Sequence, residues 1–271
     1  MDRTTLPGIA IGIAAMAFMV MIEGGNVGEL VSVPAAVIVF GGCFGALLAS
    51  YPMSDIGRFP KVIGRAFGAE AKDPYLMLDG YVKLAERARR EGLLALESDI
   101  AGLPDPFTRK GLMLVVDGVD PEMVQEVLQH DLEGLRERHE RNIAMFESLG
   151  GYAPTMGIIG TVMGLVNVLG NLADPSELGH MIASAFIATL YGVASANMVW
   201  LPIASKLRMK SEQEIEARQL AISAIRAIAA GDNPRIVREK LEARRPPARK
   251  KPTAAEGTVG EPDGARAPSA A

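Results

Sequence analysis

Four blocks of apolar residues dominate the hydropathy pattern, and they lie at 7–22, 31–50, 151–172 and 181–205. No acidic or basic side chain falls within any of them. A helix rises about 1.5 Å per residue, so about 20 residues cross a hydrocarbon core about 30 Å thick. Three blocks are long enough, and the first reaches this length by including Leu6 and the edge Glu23–Gly25. The pattern predicts an all-α membrane protein with four transmembrane helices.

The first block could also be interpreted as a secretory signal peptide, but two features argue against that interpretation. Arg3 is the only basic residue before the block, and no convincing small-residue cleavage site precedes Glu23. A second apolar block also follows almost at once. We therefore expect residues 1–50 to remain in the membrane as a helical hairpin.

The distribution of basic residues predicts the orientation of the four spans. Of the 28 Lys and Arg residues, one precedes the first span, thirteen lie between the second and third spans, and fourteen follow the fourth. The two hairpin loops, 23–30 and 173–180, contain none and carry acidic residues instead. Because loops rich in Lys and Arg stay in the cytoplasm, both termini and the middle segment are predicted to be cytoplasmic.

The middle segment, 51–147, has helical periodicity and no convincing strand. Apolar positions predict a helix through Leu76–Ala85, which Gly92 interrupts and Leu93–Ile100 continue. A further helix is predicted around Leu112–Val116. The segment is therefore expected to form a helical cytoplasmic domain.

Long helices are predicted to extend from this domain and from the fourth span. Asp120-Pro121-Glu122 is a typical helix start, with Asp as N-cap and Pro at the first helical position. The helix that begins there either enters the third span as one rod or bends near Gly150-Gly151. After the fourth span, Lys206–Ala230 predicts a charged helix and Pro234–Arg244 a short one.

From Arg245 onward the chain is rich in Pro, Ala, Gly and Lys and has almost no large apolar residues. Such a composition predicts disorder. The five expected parts are an N-terminal transmembrane hairpin (1–50), a cytoplasmic helical domain (51–147), a second transmembrane hairpin with a candidate polar path (148–206), a C-terminal cytoplasmic helix (207–244) and a disordered tail (245–271).

The third and fourth spans carry small residues at three- and four-residue spacing. They are Gly157, Gly160, Thr161 and Gly164 in the third span, and Ser184, Ala188, Gly192 and Ala196 in the fourth. Such stripes let two helices approach closely in lipid, where no hydrophobic effect drives their association. The two spans are therefore predicted to pack closely, either for packing alone or beside a polar path.

Hydroxyl side chains accompany these stripes. Thr161 and Thr189 are the most central in their spans, at similar depth. Each hydroxyl can bond to the carbonyl one turn earlier. It can also line a wet path, since hydroxyl and carbonyl oxygens are suitable ligands for a small hard cation. The pattern alone leaves both possibilities open.

Two prolines lie near the predicted cytoplasmic ends of the same spans. Pro154 is in the third span and Pro202 in the fourth. Each removes a backbone hydrogen bond and frees a carbonyl, so bends at matching depth are expected. They are either plain bends at helix ends or a pair of hinges that move the cytoplasmic part against the membrane part.

Several function classes find no support in the sequence. The three histidines are isolated, and no phosphate loop, nucleophile elbow or metal-ligand cluster is present, so neither an enzyme nor a metal site is expected. Cys43 is the single cysteine and is expected only to pack. Basic residues mixed with acidic ones argue against nucleic-acid binding. A self-contained channel or transporter would carry a charged residue in its spans, and a scaffold without ion flow would leave the paired threonines and prolines unexplained.

Four phrases together resemble the MotA/PomA family, the A subunits of the bacterial flagellar stator in the MotA/TolQ/ExbB proton channel superfamily. They are GYAPTMGIIGTVMGL, IATLYGVASANMVWLPIASKL, ARREGLLALE and GLMLVVDGVDPE. The resemblance covers roughly residues 5–240. It implies an inner-membrane complex of five A subunits around two B subunits of the MotB/PomB type, whose membrane Asp binds the ion. Ion flow would rotate the A ring and turn the rotor through its switch protein FliG, without a cofactor.

The resemblance also implies roles for residues of the ion path. Pro154 and Pro202 match the two functional prolines of the family, and Thr189 matches the hydroxyl that faces the ion site. Thr161 falls where sodium-driven members carry threonine and many proton-driven members carry alanine. Sodium is therefore favoured over the proton as the driving ion.

Arg89 and Glu97 match the charged pair that meets the rotor in the family. The adjacent Arg90 is the alternative for the arginine. Without the resemblance, these residues would be interpreted as a solvated, charged helix face.

The nearest competing family is the TolQ/ExbB type of energising subunit, which drives another membrane machine and has similar final spans. Members of that group usually have three spans with the N-terminus outside. The first hairpin, residues 7–50, has no basic residue in its loop and argues against this alternative.

Overall fold

A computed structural model describes residues 4–68, 73–170 and 175–245, and within these ranges the chain is helical, with no strand. The prediction of an all-α membrane protein is confirmed, because four helices are long and apolar enough to span a membrane. The predicted disordered tail lies outside the described residues, apart from Arg245.

The N-terminal hairpin contains the first two spans. The first span forms α1 (Thr5–Ile22), which includes Leu6 as predicted. It ends before Glu23–Gly25, so the prediction that this edge extends the span is wrong. Gly24 has a φ of +76°, which is incompatible with a right-handed helix. The second span follows a 3₁₀ turn at Val27–Leu30 and consists of α2 (Val33–Ala36), a π turn at Val37–Gly41 and α3 (Gly42–Ser50).

Five shorter helices follow before the third span: α4 (Met53–Ile56), α5 (Phe59–Ala66), α6 (Leu78–Glu91), α7 (Glu97–Ile100) and α8 (Pro106–Val116). Gly92 ends α6 with a φ of +88°, a conformation open to glycine. The chain then continues as a 3₁₀ turn, Leu93–Leu96, before α7 begins. Of the predicted continuation after Gly92, the first half is therefore a 3₁₀ turn and only the second half is α-helical.

The third span is part of one unbroken helix, α9 (Pro121–Gly170), of 50 residues. At about 1.5 Å per residue it is about 75 Å long. Asp120 caps it as predicted, since its Oδ1 accepts a hydrogen bond of 2.9 Å from the Glu122 amide. No break occurs near Gly150-Gly151, so the single-rod alternative is the one that the structure adopts.

The fourth span also continues beyond the apolar block. It consists of α10 (Pro175–Ser195), a π turn at Ala196–Trp200 and α11 (Leu201–Ala229), and the short helix α12 (Pro234–Ala243) follows. The predicted charged helix after the fourth span is therefore confirmed as part of α11. The spanning helices α9 and α10 thus continue, directly or through a π turn, into two charged rods.

Two clusters of buried side chains hold the molecule together. The first joins the short helices α6 to α8 to the far ends of the rods, and its fully buried members include Leu96, Leu112, Leu128 and Ile225. The second lies where the rods leave the apolar spans and contains Phe59 stacked on Phe146, with ring centroids 4.8 Å apart. Both clusters include residues of α9 and α11, so the two rods connect the spans to the short helices α6 to α8. These short helices and the two rods are the charged part of the molecule.

Lys210 fixes α5 to the second rod. Its Nζ donates hydrogen bonds of 2.9 Å to the carbonyl oxygens of Arg65, Ala66 and Gly68. The carbonyls of Arg65 and Ala66 are in the last turn of α5 and that of Gly68 follows it, at a helix end where carbonyls lack partners of their own and a cation is favourable. The contact joins α5 to α11 at the level of the second cluster.

Candidate ion path between the third and fourth spans

Glycines bring α9 and α10 into backbone contact. A Cβ atom added at Gly157 would lie 2.8 Å from the Ala188 carbonyl oxygen and 3.0 Å from the Thr189 Cα. One added at Gly164 would lie 2.6 Å from the Ala185 Cβ. A Cβ atom added at Gly160 would collide with the Ala188 side chain, and one added at Gly192 would collide with the Ala153 carbonyl oxygen. These four glycines, which are among the small residues singled out from the sequence, therefore face the partner helix, as close packing in lipid requires.

The close approach brings Thr161 and Thr189 together across the two helices. Their hydroxyl oxygens are hydrogen-bonded to each other. The Thr161 hydroxyl also lies 3.1 Å from the carbonyl oxygens of both Gly157 and Ala185, and the Thr189 hydroxyl lies 3.3 Å from that of Gly157. The matched depth inferred from the sequence thus corresponds to direct contact.

These four oxygens form a small uncharged cluster at half-buried positions in the middle of the spans. The two hydroxyl groups can donate two hydrogen bonds in total. The acceptors within reach are the carbonyl oxygens of Gly157 and Ala185 and, for each threonine, the hydroxyl oxygen of the other. Carbonyl and hydroxyl oxygens of this kind bind hard cations. Since no span contains an ionisable carboxyl group, the cluster can ligate a cation but cannot neutralise its charge.

The two prolines flank the cluster on the side of the charged rods. Pro154 lies within α9, whose helical hydrogen bonding continues around it. Pro202 lies at the start of α11, directly after the π turn at Ala196–Trp200. A π turn inserts an extra residue into the helix and is frequent at functional sites. The irregularity near Pro202 therefore takes the form of a π turn, which the sequence did not predict.

Trp200 ends this π turn and has an unusual environment. Its ring packs edge-on against Phe44 at 6.3 Å. Its indole N–H is buried and has no hydrogen-bond partner among the described residues. Buried donors without partners are costly and rare. The Trp200 indole is thus a buried donor without a partner among the described residues, next to Pro202.

A polar clamp between α10 and the start of the second span was missed from the sequence. The Tyr191 hydroxyl donates to the Leu30 carbonyl at 2.7 Å and accepts from the Ser32 amide at 3.2 Å. The hydroxyls of Ser32 and Ser184 are 3.1 Å apart. Together these bonds fasten the start of the second span to α10. A tyrosine among small residues in a span was the available signal, because a buried phenol needs a partner.

The predicted rotor residues lie on the surface around Gly92. Arg89 and Glu97 are exposed and form no ion pair within the described part of the chain. Arg90 is 3.5 Å from Glu86 on its own helix. Arg89, Arg90 and Glu97 are thus all on the surface, and of the two arginines only Arg90 is near an acidic residue of its own helix.

Arg87, which the sequence did not single out, supports this region. Its guanidinium is 3.0 Å from Glu91 and 2.6 Å from Asp99. Hydrogen bonds to Glu91 and then Asp99 raise the pKa of Arg87 above its ordinary value. The bond to Asp99 joins α6 to α7 across the turn at Gly92.

The four spans, the uncharged oxygen cluster between two of them and the long rods define a multi-pass membrane protein with a polar contact between its third and fourth spans. The sequence pattern of the MotA/TolQ/ExbB proton channel family matches residues 100–220. The chemotaxis protein PomA of Vibrio alginolyticus is 38% identical over 242 residues, which cover 89% of this chain and 94% of PomA. Motility protein A of Bacillus subtilis is 33% identical over 243 residues, which cover 89% and 90%. The chain belongs to the MotA/PomA family of flagellar motor stator subunits.

Solved stator structures have the same fold. The structure of C. jejuni MotAB matches with a TM-score of 0.85 and 27% identity, over 90% of this chain and 95% of that one. The flagellar MotAB stator complex from Bacillus subtilis matches with a TM-score of 0.84 and 32% identity, over 91% and 97%. The chain is thus a multi-pass inner-membrane stator subunit of the bacterial flagellar motor, and the TolQ/ExbB alternative is not supported.

Proposed function

We propose that this stator subunit completes its ion path with the transmembrane helix of a B subunit of the MotB/PomB type, whose Asp supplies the missing charge. The observation that carries the proposal is the contact of Thr161 with Thr189 in spans that hold no ionisable carboxyl group. A cation in a low-dielectric site needs a counter-charge. The half-buried hydroxyls can then complete its coordination.

Sodium is the ion that the cluster suits best. Thr161 contributes a hydroxyl that touches both the Thr189 hydroxyl and the Ala185 carbonyl. Oxygen ligands of this kind replace the hydration shell of a metal cation, whereas a proton needs only the carboxylate. The proposal is therefore a sodium-driven stator.

The proposed assembly has five copies of this chain around two B subunits, with both termini and the charged part in the cytoplasm. The support for this orientation is the absence of Lys and Arg from the two hairpin loops. Pro154 and Pro202 act as hinges that tilt the rods when the ion binds. The charged part then pushes on the rotor switch protein FliG through Arg89 and Glu97.

Ion flux measured in vesicles tests the need for a partner. Vesicles that contain this chain alone should show only background sodium flux, because no group in its spans can neutralise the ion. Vesicles that contain the chain with its B subunit should conduct.

The control for this experiment is a B subunit whose membrane Asp is replaced by Asn, which should assemble and not conduct. Steady sodium flux through the chain alone would show that the proposal is wrong.

Charge reversal tests the rotor contact. Arg89→Glu and Glu97→Lys should each lower stall torque several-fold, since like charges would then face each other at the interface. Arg90→Glu should have a smaller effect, because Arg90 is already near Glu86 on its own helix. Torque is read from tethered beads, and membrane levels of the complex should remain unchanged. A larger loss from Arg90→Glu would move the contact to that residue, and normal torque in all three variants would contradict it.

A further inference from the structure

A cavity of about 500 Å³ lies between α1 and the junction of the fourth span with α11. Its walls are formed by the first half of α1, the π turn and the start of α11, and they include Gly8, Ile9, Met198, Pro202 and Lys206. Ligand pockets in proteins commonly have volumes of about 300–1,000 Å³. The cavity is therefore large enough to hold part of an organic molecule.

Two glycines of α1 shape this cavity. A Cβ atom added at Gly12 would collide with the Met198 side chain, so the two helices touch at that level. A Cβ atom added at Gly8, one turn earlier, would meet no atom within 4 Å, although Gly8 lines the cavity. No residue of α1 is buried, so the rest of the chain does not cover this helix. The space beside Gly8 is thus open to a molecule from outside the chain.

The walls combine apolar side chains with one cation. Ile9, Met198, Pro202 and Met209 supply apolar surface. Lys206 is the first basic residue after the fourth span, and it is half-buried at the edge of the cavity. Lysine side chains at the ends of membrane helices keep their ammonium groups at the level of the lipid head groups. The cavity therefore extends from the apolar part of the bilayer to its charged boundary.

This combination of an apolar wall and a cation at the membrane boundary suits an amphiphile with an apolar chain and a negatively charged head. A free anion would not use the apolar wall, and a neutral lipid would not use Lys206. Basic pockets between membrane helices bind the head groups of anionic lipids. The Ser205 hydroxyl, on the same wall as Lys206, can donate a hydrogen bond to a phosphate oxygen.

We propose that the cavity binds one anionic phospholipid of the surrounding bilayer. The acyl chain lies along Gly8 and Pro202, and the phosphate lies at Lys206. Because the cavity includes Pro202 and part of the π turn, the bound lipid contacts the proposed hinge. The inference goes beyond the proposed ion path and rotor contact and needs neither of them. It depends only on the position of the spans in the membrane, which is the same for either orientation.

The first experiment tests the charge. Binding of phosphatidylglycerol to the purified complex of the full-length chain with its B subunit is measured by native mass spectrometry, with phosphatidylcholine as the neutral comparison. The unmodified complex should bind phosphatidylglycerol more tightly. Lys206→Gln should weaken this binding about fivefold and leave phosphatidylcholine binding unchanged. Arg208→Gln is the matched control, since Arg208 pairs with Glu147 at 2.6 Å and does not line the cavity.

The second experiment tests the place. Gly8→Leu should fill the cavity and prevent phosphatidylglycerol from binding, while the melting temperature of the lipid-free complex stays the same. The chain has room for this side chain, because a Cβ atom at Gly8 meets no atom within 4 Å. Gly45→Leu is the matched control. Gly45 lies in the second span, has equally open space at its Cβ position and does not line the cavity.

Four outcomes would overturn the proposal. Equal binding of both lipids without any effect of Lys206→Gln would indicate a non-selective contact with the bilayer. Unchanged binding in Gly8→Leu would place the lipid elsewhere. Displacement of the lipid by inorganic phosphate would make a free anion the ligand, and a change in the size of the complex in Gly8→Leu would show that a neighbouring copy fills the cavity. Since the experiments measure lipid binding, their failure leaves the proposed ion path and rotor contact unaffected.

Discussion

Gly192→Ala should separate the third and fourth spans and abolish swimming. The new Cβ would collide with the Ala153 carbonyl oxygen and lie 3.1 Å from the Gly157 Cα. Both are backbone atoms, so no side chain can rotate away and the helices themselves have to move. Inserting one carbon into such a contact costs about 1–3 kcal/mol. The same movement would pull the Thr161 and Thr189 hydroxyls apart.

The measurements are the melting temperature of the purified complex and the swimming speed of cells that carry the variant. Gly151→Ala is the matched control, because a Cβ there meets no atom within 4 Å. It should leave both quantities unchanged. Normal swimming with Gly192→Ala would mean that the close approach of α9 and α10 is not needed for function.

Thr189→Ala should abolish ion-driven swimming while the complex still assembles. The substitution removes the hydroxyl that bonds to Thr161 and lies 3.3 Å from the Gly157 carbonyl. A hydrogen-bond partner of a charged group contributes about 1.5–3 kcal/mol, which corresponds to at least tenfold weaker ion binding. Thr161→Ala should have the smaller effect, a rise of about tenfold in the sodium concentration for half-maximal speed, because in the proposed path Thr189 faces the ion and Thr161 supports it.

Swimming speed measured across sodium concentrations at fixed pH checks both variants. Thr155→Ala is the control, since Thr155 is exposed and its hydroxyl bonds to the Tyr152 carbonyl in its own turn, at 2.8 Å. It should swim normally, and Thr189→Ser should recover much of the speed. Sodium-independent swimming of the unmodified protein would contradict the choice of ion.

Much of the fold is predictable because a membrane span is defined by properties of a continuous stretch of sequence. Length, apolarity and the absence of charge define a membrane helix without any knowledge of tertiary contacts. The N-cap at Asp120 is equally local, and the structure shows its predicted hydrogen bond. The pairing of Thr161 with Thr189 was accessible because two antiparallel helices bring residues of similar depth together.

The remaining features depend on contacts between distant residues. The clamp of Tyr191 on Leu30 and Ser32 joins positions about 160 residues apart in the chain. The π turn at Ala196–Trp200 lies just before Pro202, and no local sequence pattern specifies it. The different surroundings of Arg89 and Arg90 depend on the position of Glu86, which lies 3.5 Å from Arg90.

The unbroken α9 has a mechanical consequence, given that Pro154 is the proposed pivot. At about 1.5 Å per residue, the arm from Pro154 to Thr161 is about 10 Å and the arm to Pro121 is about 50 Å. A rotation about Pro154 that moves the Thr161 hydroxyl by about 1 Å therefore moves the far end of α9 by about 5 Å. Such a lever would convert a small displacement on ion binding into a movement of about 5 Å at the far end of α9.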